Sequence, residues 1–336
     1  ELKTADSKFD EKWLKECAAD LWANKGAASV LVGQRQPVAV QALGIAINSV
    51  LGNLGSTFEV RQGLSKPAFS IKELAAKILK GDVETLFILG GNPVFNAPSD
   101  AAWLEAQKQT KTVVHLAHEV DETSKASHWH IPLAHFLEQW DDSNSLDGSY
   151  MVVQPTVLPL YGGISKIELL AQLSGVAADP LKLVQDTFQS TFKGESNLTE
   201  LWARTLKQGF APISKGEHAE VSLNWEGIAK ACVDSPPVRM IEGTFELVFV
   251  SDSKLDDGRH ANNGWLQELP DPITKLTWDN AALISPAAAR RLKVDSGDLL
   301  KLAIGEKSLE IPALILPGHA DDSITVPVGY GRQEVG

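Results

Sequence analysis

A five-residue apolar run, Thr85 to Leu89, stops at Gly90 and Gly91 and lies between two helical patterns. A continuous apolar strand is typical of a central parallel strand that is covered on both faces. The segment before it, SIKELAAKILKG, opens with a capping box, ends at a glycine and repeats its apolar residues with helical spacing. Strand and helix patterns alternate through the first 175 residues. This alternation predicts right-handed crossovers and an α/β domain with a doubly wound parallel sheet.

Other segments fit the same alternation. ASVLVG, from Ala28 to Gly33, predicts a buried strand, and KTVVHLA, from Lys111 to Ala117, predicts another. Between them, AVQALGIAINSVLGNLG predicts a helix that is closed by glycines. After the run at Leu89, we expect the next helix to begin at Ser99 or Asp100.

The character of the sequence changes after a Pro-Pro pair that starts at Pro236. Short apolar segments with Gly, Pro and Asp between them follow the pair: FELVFVS, NAALIS, GDLLKLAIG, KSLEIPALILP and DSITVPVG. This pattern predicts a β-barrel, together with one short helix that Ser285 caps. We therefore expect an α/β domain at residues 1–240 and a barrel domain at residues 241–336.

Composition narrows the class of function. Hydrophobic residues make up 43% of the chain and charged residues 22%, as in a globular protein that buries a full core. The formal net charge of −12 disfavours nucleic-acid binding, which needs a basic surface. The two cysteines, Cys17 and Cys232, lack the spacing of an iron–sulfur or zinc site and cannot form a disulfide framework. No apolar run is long enough to predict insertion into a membrane.

Five of the eight histidines fall within 21 positions: His115, His118, His128, His130 and His135. Histidines two positions apart on a strand face the same side, so His128 and His130 could share a zinc ion with a histidine of the neighbouring strand. The same segment, SHWHIPL, also fits an ordinary strand whose histidines make structural hydrogen bonds. We expect neither a metal site nor a catalytic residue here, and a zinc-binding module stays open as a weaker alternative.

One turn follows the predicted strand at its carboxyl end: Gly90, Gly91, Asn92 and Pro93. Backbone amides in such a turn can approach a phosphate closely, because glycine has no Cβ. The alternative is a tight turn without a ligand, in which glycine is needed only for the backbone dihedral angles. His118 and Glu119 follow the next strand and should lie at the same edge, where doubly wound sheets bind their ligands.

Four segments of the chain resemble a known family. LFILGGNPVFNAPSD, HEVDETSKASHWHIPLAHFLEQWDD and DGSYMVVQPTVLPLYGG resemble the third domain of the molybdopterin oxidoreductases. WDNAALISPAAARRLKVDSGDLLKLAIGEKSLEIPALILPGHADDSITVPVGYGR resembles the family's fourth domain, a double-psi β-barrel. The resemblance covers most of the chain and is weakest in residues 176–240. Within the family, the sequence is most similar to the large molybdopterin-like iron–sulfur subunit of the bacterial alternative complex III.

The resemblance implies residues that would contact a cofactor. Members of the family hold molybdenum or tungsten between two pterin guanine dinucleotides. By resemblance, the turn at residues 90–93 and the pair His118 and Glu119 are candidate cofactor-binding residues. Four amides of the second domain join them: Asn262, Asn263, Gln267 and Asn280. Amides suit a pterin edge because they both donate and accept hydrogen bonds. Ordinary loop hydrogen bonding would use the same residues, and the glutamate at Glu138 is a common structural feature of the family's fold.

The resemblance also implies what the chain does. The family's cysteine-rich domain and the segment that carries its metal ligand have no counterpart in this sequence. We therefore expect a piece of a larger protein, as the start at Glu1 rather than at a methionine also suggests, with no cofactor and no redox chemistry of its own.

The expected role is that of a scaffold in a quinol-oxidising electron-transfer complex on the periplasmic side of the bacterial inner membrane. Its expected partners are other subunits of that complex and an iron–sulfur remainder of its own chain. An enzyme that still binds a molybdopterin guanine dinucleotide is the alternative.

Overall fold

The structure is a computed structural model that describes residues 10–60, 69–145, 148–212, 222–234, 241 and 243–334. The predicted change of character at Pro236 lies outside these residues. The chain forms two compact units. The smaller unit contains Glu1–Lys66, Asn144–Tyr150 and Pro212–Arg239, and the larger one contains Pro67–Ser143, Met151–Ala211 and Met240–Gly336. The predicted domain division at residue 240 stays a prediction.

The helices and strands have the following bounds. The helices are α1 (Glu11–Ala23), α2 (Val38–Val50), α3 (Ile71–Leu79), α4 (Pro93–Asn96), α5 (Trp103–Gln109), α6 (Glu122–Lys125), α7 (Lys166–Leu173), α8 (Pro180–Thr191), α9 (Leu198–Gln208), α10 (Trp225–Asp234), α11 (Gly264–Glu268) and α12 (Pro286–Leu292). The strands are β1 (Thr85–Leu89), β2 (Thr112–Ala117), β3 (Trp129–Pro132), β4 (Asp141–Asn144), β5 (Tyr150–Val153), β6 (Phe210–Ala211), β7 (Glu246–Ser251), β8 (Ala282–Ile284), β9 (Leu299–Ile304), β10 (Lys307–Ile315) and β11 (Ser323–Val328). Among the described residues, none of the helices is both long and apolar enough to cross a bilayer.

The predicted strand from Ala28 to Gly33 is wrong, because this segment joins no sheet in the described part of the chain. The side chain of Asn48 in α2 takes the place of a neighbouring strand. Its Oδ1 accepts the Val30 N–H at 2.9 Å, and its Nδ2 donates to the Val30 carbonyl at 2.8 Å. The apolar run resembled a buried strand, yet Leu31 within it is 83% exposed.

Strands β1, β2 and β3 form a parallel sheet in this order. The predicted strands at β1 and β2 are confirmed, but β1 is an edge strand with alternate residues exposed, so the prediction of a central strand covered on both faces is wrong. The capping box of Ser70 and Glu73 begins α3 as predicted. Helices α3 and α5 share a core with the sheet: Ala75, Ile78, Leu86, Ile88, Trp103, Ala106 and Val113. The start of α5 is at Trp103 rather than at Ser99 or Asp100, because a short helix beginning at Pro93 comes first. Proline suits this position, which needs no backbone N–H.

A five-stranded mixed sheet forms in the carboxyl-terminal part of the larger unit, with strand order β7-β11-β8-β10-β9. All five predicted apolar segments supply one strand each, and Ser285 caps α12 as predicted. The sheet and α12 enclose a second core: Ala282, Ile284, Ala288, Ala289, Leu300, Ile311, Ala313, Ile324 and Val326. Closure of this sheet as a double-psi barrel stays a prediction. Strands β4, β5 and β6 form a separate three-stranded sheet.

Candidate ligand cleft

A cleft of about 340 Å³ lies at the carboxyl-terminal edge of the parallel sheet. Gly90 and Gly91 after β1, His118 after β2 and Leu133 after β3 line it, because parallel strands end at the same edge. The lining also includes Phe95, Asn96, Lys166 and four residues of the carboxyl-terminal part: Asp257, Gly258, Arg259 and Arg332. This is the edge at which open α/β sheets bind ligands.

The charged side chains that line the cleft balance one another. Three are cationic, namely Lys166, Arg259 and Arg332. Three are carboxylates: Glu119, Asp121 and Asp257. The lining therefore carries no net formal charge, whereas a site that binds a diphosphate needs an excess of cations and free N–H donors.

Arg332 is held by Glu122, the first residue of α6. The Arg332 Nε lies 3.0 Å from the Glu122 carboxylate, and their side chains are only 7% and 11% exposed. The same carboxylate accepts from Asn92 Nδ2 at 2.6 Å and from the backbone N–H groups of Gln333 and Glu334. Burial acts to raise the pKa of Glu122, but these hydrogen bonds outweigh it and lower the pKa to about 2. Arg332 and Asn92 are thus engaged by the protein itself.

Arg259 is held by Asp257 in a two-bonded arrangement. Its Nε donates to Oδ1 at 2.9 Å, and its Nη2 donates to Oδ2 at 3.0 Å. Asn96 donates a further hydrogen bond to Asp257 at 3.0 Å. The bond from Arg259 is the main reason that the pKa of Asp257 is lowered to about 2. Asp256 lies 3.1 Å from Arg259 Nε, so this guanidinium faces two carboxylates.

Glu119 joins the cleft to an adjacent open groove of about 590 Å³. Its carboxylate accepts from Asn262 Nδ2 at 2.7 Å, which brings together two predicted site residues 143 positions apart. His118 lines both spaces, and its Nδ1 donates to the Leu133 carbonyl at 3.1 Å. The other groove residues include Trp265, which is 86% exposed.

His115 is fully buried beneath the cleft and belongs to a directional hydrogen-bond chain. The Gly91 carbonyl can only accept, so His115 Nε2 donates to it at 3.0 Å. His115 Nδ1 lies 2.8 Å from the Ser124 hydroxyl oxygen, which also lies 3.3 Å from the Glu119 carbonyl that can accept its proton. The same hydroxyl oxygen accepts from His130 Nδ1 at 3.0 Å. Burial lowers the pKa of His115, against the opposing effect of the Asp121 charge.

The histidines do not converge on a metal. His128 Nδ1 accepts from the Val113 N–H at 3.0 Å, whereas His130 is bound to Ser124. In the described part of the chain, no group of three or more His, Cys, Asp or Glu side chains is placed to hold a metal ion.

The predicted site residues divide between several places. Gly90, Gly91, Asn92, His118 and Glu119 line the cleft, and Asn262 and Asn263 line the adjacent groove. Pro93 is the first residue of α4, and Asn263 also caps α11. Gln267 donates to the Ala261 carbonyl at 3.0 Å. Asn280 donates to the Pro327 carbonyl and lines a separate pocket of about 160 Å³, so it does not join the others.

The three cations of the cleft were not predicted from the sequence. Lys166 had a local signal, because it follows the capping residue Ser165 at the start of α7, the helix after β5. Arg259 and Arg332 come from the other end of the chain, and no local pattern indicates that they reach this edge.

The known proteins that are similar to this chain include the following two. A tetrathionate reductase subunit from Archaeoglobus fulgidus is 37% identical over 54 residues, which are 16% of this chain and 5% of that protein. The structure of acetylene hydratase from Pelobacter acetylenicus matches with a TM-score of 0.57 and 15% identity. That match covers 77% of this chain and 39% of the other, so the chain spans well under two thirds of both relatives. No protein-family model matches the sequence. The structural match shows that much of this chain shares its fold with part of acetylene hydratase.

The cleft offers little to the diphosphate of a pterin dinucleotide. Two of its three cations are paired with carboxylates, and the Asn92 side chain is bound to Glu122 and Thr123. Among the described residues, the buried side-chain polar atoms without a partner are Oε1 of Gln139 and Oε1 of Gln267, and neither residue lines the cleft. The residues present therefore do not fit this cofactor.

Proposed function

We propose that this chain is a structural part of a molybdopterin-oxidoreductase-like subunit and has no redox centre of its own. Its place is a quinol-oxidising electron-transfer complex of the alternative complex III type, on the periplasmic side of the bacterial inner membrane. Its partners there are other subunits and an iron–sulfur part of the same subunit.

The observation that carries the proposal is the internal pairing of the cleft's charged groups. Glu122 neutralises Arg332, and Asp257 neutralises Arg259. Freeing Arg332 from Glu122 to bind a ligand would leave an uncompensated charge at a largely buried position, which costs several kcal/mol. The Glu122–Arg332 pair and the hydrogen bond from Asn96 to Asp257 connect the parallel-sheet layer to the carboxyl-terminal part within one compact unit, as a scaffold requires.

The test is an analysis of the native complex for molybdenum, tungsten, zinc and pterin. We expect none of the metals at stoichiometric level in this chain and no fluorescent pterin oxidation product after denaturation. Molybdenum or tungsten at one equivalent, with pterin, would contradict the proposal and support the alternative of a pterin dinucleotide-binding enzyme part. One equivalent of zinc would support a zinc-binding module instead.

Lys166 favours the alternative in which the chain is the pterin dinucleotide-binding part of an enzyme. Its ammonium lies against the Gly-Gly turn and has no hydrogen bond or ion pair to any described residue, although its charge acts on Asp141. A Cβ placed on Gly90 would be 3.5 Å from Lys166 Nζ. Titration of the purified chain with guanosine diphosphate tests this candidate. Binding that K166A weakens at least tenfold, while the exposed control K193A leaves it unchanged, would support a nucleotide site. We expect no binding at millimolar nucleotide.

A further inference from the structure

A group of large apolar side chains lies exposed on two neighbouring loops of the larger unit. We call it the apolar ridge, and it consists of Phe136, Leu137, Val157, Leu158, Leu160 and Tyr161. Leu158 is 85% exposed, Leu160 74% and Tyr161 88%. Single exposed apolar residues are ordinary, but a contiguous group of this size on a protein surface marks an interaction site.

The ridge is braced by hydrogen bonds between the two loops. The Leu137 carbonyl accepts from the N–H groups of Thr156 at 2.7 Å and Val157 at 3.1 Å. The Glu138 carboxylate accepts from the His135 N–H at 2.9 Å and from the Leu160 N–H at 3.0 Å. These bonds hold the backbone of the two loops in place, which lowers the loop-ordering entropy that binding must overcome.

The size and charge of the ridge fit a protein interface. Each large apolar or aromatic side chain at such exposure offers on the order of 100 Å², so the ridge reaches roughly the area that one partner buries in a standard interface. The segment from Thr156 to Ile164 contains no Lys, Arg, Asp or Glu. A membrane surface would need flanking cations to attract anionic lipids. A second copy of the chain would bring another net charge of −12 against the first.

We propose that the apolar ridge docks a protein surface of the electron-transfer complex that is not part of this chain and is apolar at its centre. This inference rests on the proposed function, because it takes the complex as the source of the occupant. In the match to acetylene hydratase this chain covers 39% of that structure, so that protein has further polypeptide outside the matched part.

Site-specific photo-crosslinking in the native complex tests the proposal. A benzophenone amino acid replaces Leu158 in the native host, and a second strain carries it at Lys193, an exposed position outside the ridge. We expect the Leu158 probe to crosslink at least tenfold more than the Lys193 probe. The crosslinked peptide should be an apolar segment of the same complex that lies outside these 336 residues.

Two charge variants provide a second measurement. L158D and Y161D place a carboxylate on the ridge, and we expect each to lower recovery of the assembled complex at least tenfold. The melting temperature of the purified chain should stay within about 2 °C of wild type, because these side chains are exposed in the isolated chain. As a matched control, K193D should leave recovery unchanged.

Three outcomes would overturn the proposal: a crosslink to Tyr161 of a second copy, a crosslink to lipid, or no crosslink in an intact complex. Failure here leaves the metal and pterin analysis of the proposed function unaffected. Conversely, the chain could contain molybdenum and still crosslink to the complex. That result would contradict the proposed scaffold role but would support the apolar ridge as a docking surface.

Discussion

The carboxylate of Glu122 and the guanidinium of Arg332 form a buried ion pair between residues 210 positions apart. Arg332 also donates to the Gly258 carbonyl at 3.0 Å, and Glu122 also accepts from Asn92. The pair therefore ties together the turn after β1, helix α6 and the segment after β11. The ion pair also fixes the shape of the cleft near Asn92 and Arg332, because both of these residues line the cleft.

Replacing either partner of this pair should destabilise the chain strongly. We expect E122A and R332A each to lower the free energy of unfolding by about 3–5 kcal/mol, because each leaves one buried charge unpaired. Urea denaturation followed by circular dichroism measures the change. The exposed pair of Lys182 and Asp186 is the control, and D186A should change stability by less than about 1 kcal/mol.

The double variant E122L/R332L separates the charge effect from packing. It removes both charges together, so it should be more stable than either single variant. A double variant that loses as much as the sum of the single variants would show that the pair does not act as a unit.

Local features of the fold could be predicted from the sequence, and long-range ones could not. The capping box at Ser70 and Glu73 lies within four residues, and the structure confirms it. Strands β1 and β2 are predictable because their apolar runs and bordering glycines are local. The positions of Arg259 and Arg332 in the cleft depend on contacts between distant parts of the chain, such as the one from Arg332 to Glu122. No local residue spacing predicts such contacts.

The strand predicted from Ala28 to Gly33 is wrong for the same reason, namely a contact with a distant residue. The apolar run satisfies the local pattern, but the hydrogen-bond partner of Val30 is the Asn48 side chain, 18 positions away. The density of histidines misleads for a related reason. His115 and His130 are opposite each other in β2 and β3, yet Ser124 from α6 lies between them and binds both rings.

Removing Asn48 should therefore destabilise the smaller unit. Asn48 is 1% exposed and bonds both backbone groups of Val30, so N48L removes the partners of a part-buried N–H and carbonyl. We expect a loss of about 2–4 kcal/mol. Hydrogen exchange should show the loss as faster exchange in α2. N24A, at an exposed asparagine, is the control, and equal effects of both variants would contradict this role of Asn48.

Acid should destabilise the chain through His115. Burial holds the pKa of this imidazole below its ordinary value of 6.5, so the unfolded state binds the proton more readily than the folded state. The stability that neutral His115 contributes is present above pH 6.5 and is lost as the pH falls below it. Asp121 and His130 are the titratable groups nearest to the ring, and Asp121 weakens the effect.

The variant H115Q tests this pH dependence, because its amide keeps a donor and an acceptor but takes up no proton. We expect it to be less stable than wild type at pH 7 by about 1–3 kcal/mol. Between pH 7 and pH 5, its stability in urea denaturation should fall less than that of wild type. The same slope in both proteins would exclude His115 as the group responsible.

Gly329 and Gly331, both after β11, differ in how closely other backbone approaches them. Both have positive φ, at +110° and +81°, so alanine is strained at either position. A Cβ on Gly329 would lie 2.9 Å from the Asp256 carbonyl oxygen and 3.0 Å from the Gly258 nitrogen, whereas a Cβ on Gly331 would meet nothing within 4 Å. We expect G331A to cost about 1–2 kcal/mol and G329A about 1–3 kcal/mol more, because its methyl group forces two backbone segments apart. Chemical denaturation of the two variants side by side measures the difference, and equal losses would show that the loop at Asp256 moves aside freely.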